Sequence, residues 1–249
     1  MDKRKFIAKN VATLFHEGDV INLGVGIPTL ASLYIPEGMN VLIHAENGAL
    51  GVEKTIGTPW RRSLRSRETM IGWLETCGGE KGSWRTTHRD LCDASLEAVT
   101  LMPGAVCFDS TMAFAVARGG RLSATVLGAL QVDQECNLAN WKIPGKKLNG
   151  MGGAMDMASG AKRVIIATEH CTKDGSPKIL KKCTLPLTAV GCVSTIVSDL
   201  CMIDCKPGCL TVTAIAPGVT KEEIIAKTEA KISFASNLKE MLNIETGKS

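Results

Sequence analysis

Glu46 is the residue whose type and position most suggest chemistry in this sequence. It follows an apolar run at 41–43 that is typical of a buried strand, and the Asn-Gly pair at 47–48 marks a turn directly after it. A carboxylate at the carboxyl end of a strand lies where open α/β sheets form their ligand crevices. Glu46 could therefore be a general base, a metal ligand or a covalent nucleophile. A helix cap or a surface charge is the simpler alternative for one isolated glutamate.

A glycine-rich turn after the first predicted strand could hold an anion. Gly24, Val25 and Gly26 precede Pro28, and proline is common in the first turn of a helix. Backbone N–H groups at the positive end of a helix form a natural anion site. The pattern is not the dinucleotide-binding motif, because Thr29 stands in place of its third glycine. A tight turn without any ligand is the simpler interpretation.

A third region, 137–156, combines several glycines with Trp141. Glycine backbone lets a flat or extended ligand approach closely. The alternative is a loop that packs over the sheet, although loops of this length in compact domains are usually functional. His44 and His170 have no partners at metal-ligand spacing, so we interpret both as structural and predict no metal site.

The rest of the pattern alternates strands with helices or long connections. The predicted strands are 19–23, 40–45, 97–102, 123–127, 163–168, 195–199 and 210–215, and Pro103-Gly104 is expected to stop the third. The predicted helices are 3–16, 28–33, 110–118 and one that follows a capping box at 220–223 and ends at 227. An irregular passage is expected at 133–161. The pattern predicts one α/β domain over 1–249, with an open, mostly parallel sheet flanked by helices.

The charged residues exclude some classes of function. The formal net charge is +4, and seven basic residues against three acidic ones between 57 and 89 account for all of it. No basic stripe with interleaved aromatic residues supports nucleic-acid binding. A local site for an anionic ligand remains open.

The ten cysteines favour a reducing compartment. Seven are scattered singly, and the set 201, 205 and 209 lacks the paired spacing of structural zinc sites. The first residues contain no apolar signal segment, and no stretch approaches the ~20 apolar residues of a membrane span. We expect a cytoplasmic protein, with the mitochondrial matrix as the alternative, and no membrane partner.

Several long motifs then occur in one order along the chain. They are 22–29 (NLGVGIPT), 46–48 (ENG), 128–132 (GALQV), 138–146 (LANWKIPGK), 150–156 (GMGGAMD) and 182–188 (KCTLPLT). This series resembles the family I CoA-transferases, specifically the B-type subunit of 3-oxoacid CoA-transferases or the carboxyl-terminal half of their fused forms. The resemblance covers 4–56 and 90–243.

The resemblance implies a function and a set of residues. Glu46 would be the nucleophile, forming a glutamyl-CoA thioester while CoA passes from an acyl-CoA such as succinyl-CoA to a 3-oxoacid such as acetoacetate. Oxyanion or turn support is expected from Gly24, Val25, Gly26, Asn47 and Gly48. Contacts with CoA or the substrate are expected from Gln131, Asn140, Gly150, Gly152, Gly153 and Ala154. The CoA thioester is a substrate, and no cofactor is expected to stay bound.

The same resemblance implies a partner and leaves two alternatives open. Activity would require an A-type subunit in a heterodimer or heterotetramer. The chain departs from the family at Ala45, where the family has serine, at Ala49, where the family has a bulkier residue, and in roughly 26 additional residues within 57–89. A non-catalytic half that binds acyl-CoA or serves assembly is therefore one alternative. A phosphosugar isomerase on a related scaffold is a weaker one.

Overall fold

A computed structural model describes residues 2–53, 92–94, 99–145 and 150–243. The additional segment expected at 57–89 lies outside the described residues. Assignment of 1–249 to a single domain stays a prediction.

Within the described residues, a sheet of ten strands forms the main part of the fold and positions Glu46. Its strands along the chain are β1 (Val20–Leu23), β2 (Leu42–Ala45), β3 (Ala49–Val52), β4 (Leu101–Cys107), β5 (Ala124–Leu127), β8 (Val164–Ala167), β10 (Thr195–Val197), β11 (Cys201–Lys206), β12 (Cys209–Ile215) and β13 (Ile232–Glu240). Their spatial order is β13-β12-β11-β10-β8-β5-β1-β2-β3-β4. The five strands β10-β8-β5-β1-β2 are all parallel, so their carboxyl ends share one edge. The predicted open, mostly parallel sheet is confirmed.

Three short strands form a second sheet. They are β6 (Gln131–Asp133), β7 (Leu138–Ala139) and β9 (Ile179–Leu180), in the order β7-β6-β9. They fall partly within 133–161, where the sequence pattern predicted irregular chain. Their buried side chains belong to the apolar cluster that also covers one face of the large sheet.

In the described ranges, five α-helices flank the large sheet: α1 (Lys3–Ala12), α2 (Ile27–Leu30), α3 (Ser110–Arg118), α4 (Ala154–Gly160) and α5 (Lys221–Ala226). A 3-10 turn at Ala31–Tyr34 extends α2. Side-chain caps open three of the helices, since Asp2, Asp109 and Thr220 accept hydrogen bonds from first-turn N–H groups. Helix α1 ends earlier than its apolar spacing predicted, because Thr13 caps it and the chain turns there.

Apolar side chains cover both faces of the parallel strands. All four residues of β8 are buried; Ile165 packs with α1 on one face, and Val164 and Ile166 pack with the small sheet on the other. Continuous apolar runs are expected of parallel strands covered on both sides. No helix within the described ranges is long and apolar enough to cross a membrane.

The prediction that Pro103 and Gly104 end a strand is wrong. Both lie within β4, whose pairing with β3 runs from Leu101 to Cys107. Strand β4 is at the edge of the sheet, and proline is tolerated there because an edge strand leaves alternate N–H groups unpaired.

Candidate functional site

Glu46 lies directly after β2, at the carboxyl edge of the parallel strands. The chain reverses at once, because the Gly48 N–H donates to the Ala45 carbonyl at 3.0 Å and β3 begins at Ala49. This tight connection confines the glutamate to the strand end. The position agrees with the one predicted from the apolar run before it.

Asn22, on the neighbouring strand β1, holds one carboxylate oxygen. Its Nδ2 donates to Glu46 Oε2 at 2.8 Å and to the His44 carbonyl at 3.2 Å. Its Oδ1 accepts from the Thr125 hydroxyl, on β5, at 3.2 Å. A hydrogen bond to a charged acceptor is stronger than a neutral one, so this amide restricts the carboxylate to a narrow range of orientations.

The sequence interpretation missed Asn22, Thr125 and the two hydroxyls of Thr29 and Ser32. All four are buried. A polar residue inside an otherwise apolar strand, as in VINL and ATVL, was the available signal, because buried polar groups require a partner. The identity of that partner could not be read from the pattern.

His44 lies on β2, two residues before Glu46, and its side chain is buried, with 1% exposed. Its Nε2 donates to the Ala113 carbonyl of α3 at 3.1 Å, since a carbonyl can only accept. Burial lowers the pKa of His44, so the ring is neutral and its Nδ1 is an acceptor. Within the described residues this Nδ1 has no hydrogen-bond partner.

Two of the three backbone N–H groups in the turn at 24–26 donate hydrogen bonds to other groups of the protein. Gly24 N–H donates to the Val126 carbonyl at 2.8 Å, and Gly26 N–H donates to the Thr29 hydroxyl at 3.1 Å. No bond from the Val25 N–H occurs among the residues that the structure describes. The backbone N–H groups of Gly24 and Gly26 are therefore occupied by bonds that hold the turn, while the oxyanion support expected from this segment stays a prediction.

Asn47 and Gly48 support the turn on the other side of Glu46. Asn47 Nδ2 donates to the Cys92 carbonyl at 2.7 Å. Gly48 has φ +127° and accepts from Phe108 N–H at 2.9 Å, and a Cβ here would overlap the Phe108 carbonyl oxygen. Glycine is therefore required at 48 on both steric and conformational grounds.

The glycine loop at 150–153 brings a second piece of backbone to the carboxylate. A Cβ on Gly153 would lie 3.5 Å from Glu46 Oε1 and 3.1 Å from two ring carbons of Phe114. Helix α4 starts one residue later at Ala154, while Gly150 and Gly152 take positive φ to form the turn before it. The absence of a side chain at 153 leaves room beside Oε1.

Gln131 and Asn140 lie in and beside the small sheet, and their amides are already bonded. Gln131 Oε1 accepts from the N–H groups of Thr184 and Leu185 at 2.9 and 3.0 Å, and its Nε2 donates to the Thr184 hydroxyl. Asn140 Nδ2 donates to the Gly128 carbonyl at 3.2 Å, and its Oδ1 accepts from Thr188. Both side chains therefore make bonds within the fold, and no hydrogen bond in the described part of the chain joins either one to Glu46.

A small, partly open cleft lies beside Glu46. Its polar lining comes from Glu46, His44, Thr29, Ser32 and Asp93. Its apolar lining comes from Leu23, Ile43, Ala45, Val52 and Ala94. The lining thus combines polar groups, among them the carboxylates of Glu46 and Asp93, with short apolar walls.

The second buried histidine, His170, is structural. Its Nδ1 and Nε2 lie 3.0 Å from the hydroxyls of Ser198 and Thr228. Burial lowers the pKa of His170 to about 4. The unfolded chain binds a proton near pH 6.5, well before the folded protein does.

Acid is therefore expected to destabilise the protein through His170 between pH 6.5 and about 4. Since the folded pKa is depressed, the unfolded state binds more protons in this window and stability is lost as pH falls, by about 3 kcal/mol in total. The free energy of unfolding from urea titrations should fall less steeply over this window in His170→Gln than in the wild type. His16→Gln, at a ring that is 71% exposed, should follow the wild type. Parallel curves for the wild type and His170→Gln would contradict the assignment.

Comparisons with known proteins agree on one family. The family model described as Coenzyme A transferase matches residues 83–227, a span that does not include Glu46. The beta chain of the acetate CoA-transferase of Escherichia coli K12 is 42% identical over 238 residues, covering 96% of this chain and 97% of that protein. The B-type chain of a probable succinyl-CoA:3-ketoacid coenzyme A transferase of Bacillus subtilis is 36% identical, covering 95% and 98%.

A solved structure shares the fold. The apoenzyme of an acyl-CoA transferase from Escherichia coli O157:H7 superposes with a TM-score of 0.69 at 21% identity. The match covers 97% of this chain and 43% of that one, so the chain spans less than half of the solved protein.

Proposed function

The chain belongs to the coenzyme A transferase family, and we propose that it is the glutamate-bearing subunit of a CoA-transferase that works together with an A-type subunit. The observation that carries the proposal is the 2.8 Å bond from Asn22 to Glu46, which orients a carboxylate at the carboxyl edge of the sheet. A carboxylate is a weak nucleophile in water and gains from being positioned and stripped of solvent.

The proposed reaction begins with the acyl-CoA. An oxygen of Glu46 attacks the thioester carbonyl, the C–S bond breaks, and a mixed anhydride and the CoA thiolate result. The thiolate then attacks the γ-carbonyl of Glu46. The bond to the acyl oxygen breaks, the first acid leaves as a carboxylate, and Glu46 carries CoA as a thioester.

The second acid reverses these steps. Its carboxylate attacks the Glu46 thioester and releases the thiolate, which then attacks the acyl carbonyl of the new anhydride. A new acyl-CoA leaves and the Glu46 carboxylate is regenerated. Because the thioester energy is conserved throughout, water must be kept from both acyl intermediates.

The described residues supply specific assistance to these steps. The Asn22 amide holds Oε2, so we take Oε1, which lies beside Gly153, as the oxygen that attacks the acyl group. The N–H of Val25 is the candidate donor to the oxyanion formed at each attack, and such a donor contributes about 3 kcal/mol in other enzymes. The loop at 150–154 is proposed to contact the pantetheine arm, so that binding energy from that arm lowers the barrier.

The acids exchanged are proposed to be short. Relatives named for acetate and for succinyl-CoA and a 3-ketoacid are 42% and 36% identical to this chain, and the cleft beside Glu46 is small. The relatives named as separate bacterial subunits favour a heteromer with an A-type chain, as a heterodimer or heterotetramer, in the cytoplasm.

The test is the covalent adduct. The chain, purified with its A-type partner, is incubated with acetyl-CoA, succinyl-CoA or acetoacetyl-CoA, and the intact mass of each polypeptide is measured. We expect this chain to gain the mass of CoA less one water, and hydroxylamine to release CoA and leave a glutamyl hydroxamate in its place. CoA binding without an adduct would favour a non-catalytic role, and an adduct on the A-type chain alone would contradict the proposal.

A further inference from the structure

We propose that Thr125 is a positioning residue for CoA transfer that acts on Glu46 through the side-chain amide of Asn22. The inference rests on the proposed function, because it concerns the orientation of the proposed nucleophile. Thr125 is not among the residues that line the cleft, and its hydroxyl donates to Asn22 rather than to the glutamate.

The residues form one row across the three central strands. Asn22 pairs with Thr125 in the β1–β5 register and with His44 in the β1–β2 register. Side chains that are neighbours in register lie on the same face of a sheet, and Glu46 returns to that face two residues after His44. The row therefore ends on the carboxylate, on the face that α3 covers through Ala113.

In the side chain of Asn22, the nitrogen bonds only to acceptors and the oxygen bonds only to a donor. Both bonds from Nδ2 go to oxygens that can only accept, the His44 carbonyl and the Glu46 carboxylate. Oδ1 needs a donor, and the Thr125 hydroxyl is the one that the described part of the chain provides, at 3.2 Å. The amide orientation that presents Nδ2 to Glu46 is thus held from both sides.

Burial of both residues prevents water from easily replacing the Thr125 hydroxyl as the donor to Asn22. Asn22 is 1% exposed and Thr125 is fully buried. Removing the hydroxyl leaves a buried acceptor unpaired, which is unfavourable, and the amide is expected to turn or shift to find another donor. Any such movement loosens the bond to Oε2 and spreads the orientations of the nucleophile.

A positioning role predicts a specific kinetic change. Thr125→Val keeps the volume of the side chain and removes only the hydroxyl. At saturating acyl-CoA, the rate of adduct formation on this chain should fall about tenfold, since a small misplacement of a reacting group is costly. The KM for acyl-CoA should stay within about twofold, because the groups proposed to bind CoA are untouched.

Rescue and a double-mutant cycle separate this role from a purely structural one. Thr125→Ser keeps the hydroxyl and should restore the rate to within about twofold of the wild type. In an Asn22→Ala background, Thr125→Val should cause no further loss, because residues that act as one unit are not additive. Thr213→Val, a change of the same kind in β12 whose hydroxyl bonds the Met202 carbonyl, should leave the rate unchanged.

The outcomes are distinct. An unchanged rate in Thr125→Val, or a loss that adds to that of Asn22→Ala, would overturn the role of Thr125 while the wild-type adduct still supports the proposed function. An absent adduct in the wild-type complex would overturn both. Should Thr125→Val not fold, Thr125→Ala carries the same expectations and the same comparison with Thr125→Ser.

Discussion

Replacing Glu46 by glutamine is expected to abolish CoA transfer, with kcat falling by at least about 10⁴-fold, as for the loss of a covalent nucleophile in other enzymes. The neutral amide keeps the shape of the side chain but cannot form the anhydride or the thioester. Binding of CoA, measured by calorimetry, should persist, because the variant does not alter the proposed contacts with the pantetheine arm.

Glu37→Gln is the matched control, since Glu37 is exposed and the chemical change is the same. Its turnover should equal that of the wild type. Glu46→Asp tests position separately: it retains the carboxylate but shortens it away from the Asn22 amide, and a loss of about 10²-fold is expected. Full turnover in Glu46→Gln would eliminate Glu46 as the nucleophile.

Gly48→Ala is expected to have the largest effect on stability. The backbone at 48 has φ +127°, which is unfavourable for a residue with a side chain, and the new methyl group would overlap the Phe108 carbonyl. Together, the strain and the overlap should lower the free energy of unfolding by at least about 3 kcal/mol. Urea titration of the purified protein measures this directly.

Gly38→Ala distinguishes the overlap from the conformational strain. Gly38 also has positive φ, at +83°, but a Cβ there would meet nothing within 4 Å. Its cost should be about 1 to 2 kcal/mol, the cost of the left-handed conformation alone. Equal losses in the two variants would show that the contact with Phe108 is not decisive.

Much of the fold could be predicted from the apolar pattern. The four residues of β8 and those of β5 are buried throughout, and such runs are recognisable without a partner strand. Helix α3 was predicted at its observed bounds, because glycines follow it directly, and the structure adds an Asp109 cap at its start. Where local signals and burial agree, the sequence is informative.

Strands β4 and β13 were not predicted correctly from the sequence, and each case has a physical reason. Strand β4 runs through Pro103 because it lies at the edge of the sheet, a position that the sequence does not reveal. Strand β13 was missed because its nine residues, ISFASNLKE, are only partly buried and show no continuous apolar run. Its existence depends on pairing with β12, which is a tertiary property.

In the candidate site, too, some features follow from local sequence signals and others depend on tertiary structure. The position of Glu46 at a strand end was predicted from the apolar strand before it and the turn after it, which are local signals, whereas its role as nucleophile was implied by the family resemblance. Asn22 was not identified, since its role exists only when β1 lies between β2 and β5. The contact expected between Gln131 and the substrate stays a prediction; the structure shows its side-chain oxygen accepting from the N–H groups of Thr184 and Leu185, which the motif did not indicate.

The row of bonds through Asn22 also has a consequence for folding. Asn22 and Glu46 are 24 residues apart, whereas Asn22 and Thr125 are 103 apart. Closing the longer loop costs about 1.3 kcal/mol more in chain entropy, from the logarithmic dependence on loop length. A growing chain that ends before Thr125 can form the strand and turn around Glu46, but it lacks the donor that completes the Asn22 amide. If Thr125 positions Asn22 as proposed, the full set of bonds that orients this carboxylate requires long-range strand pairing as well as the local turn.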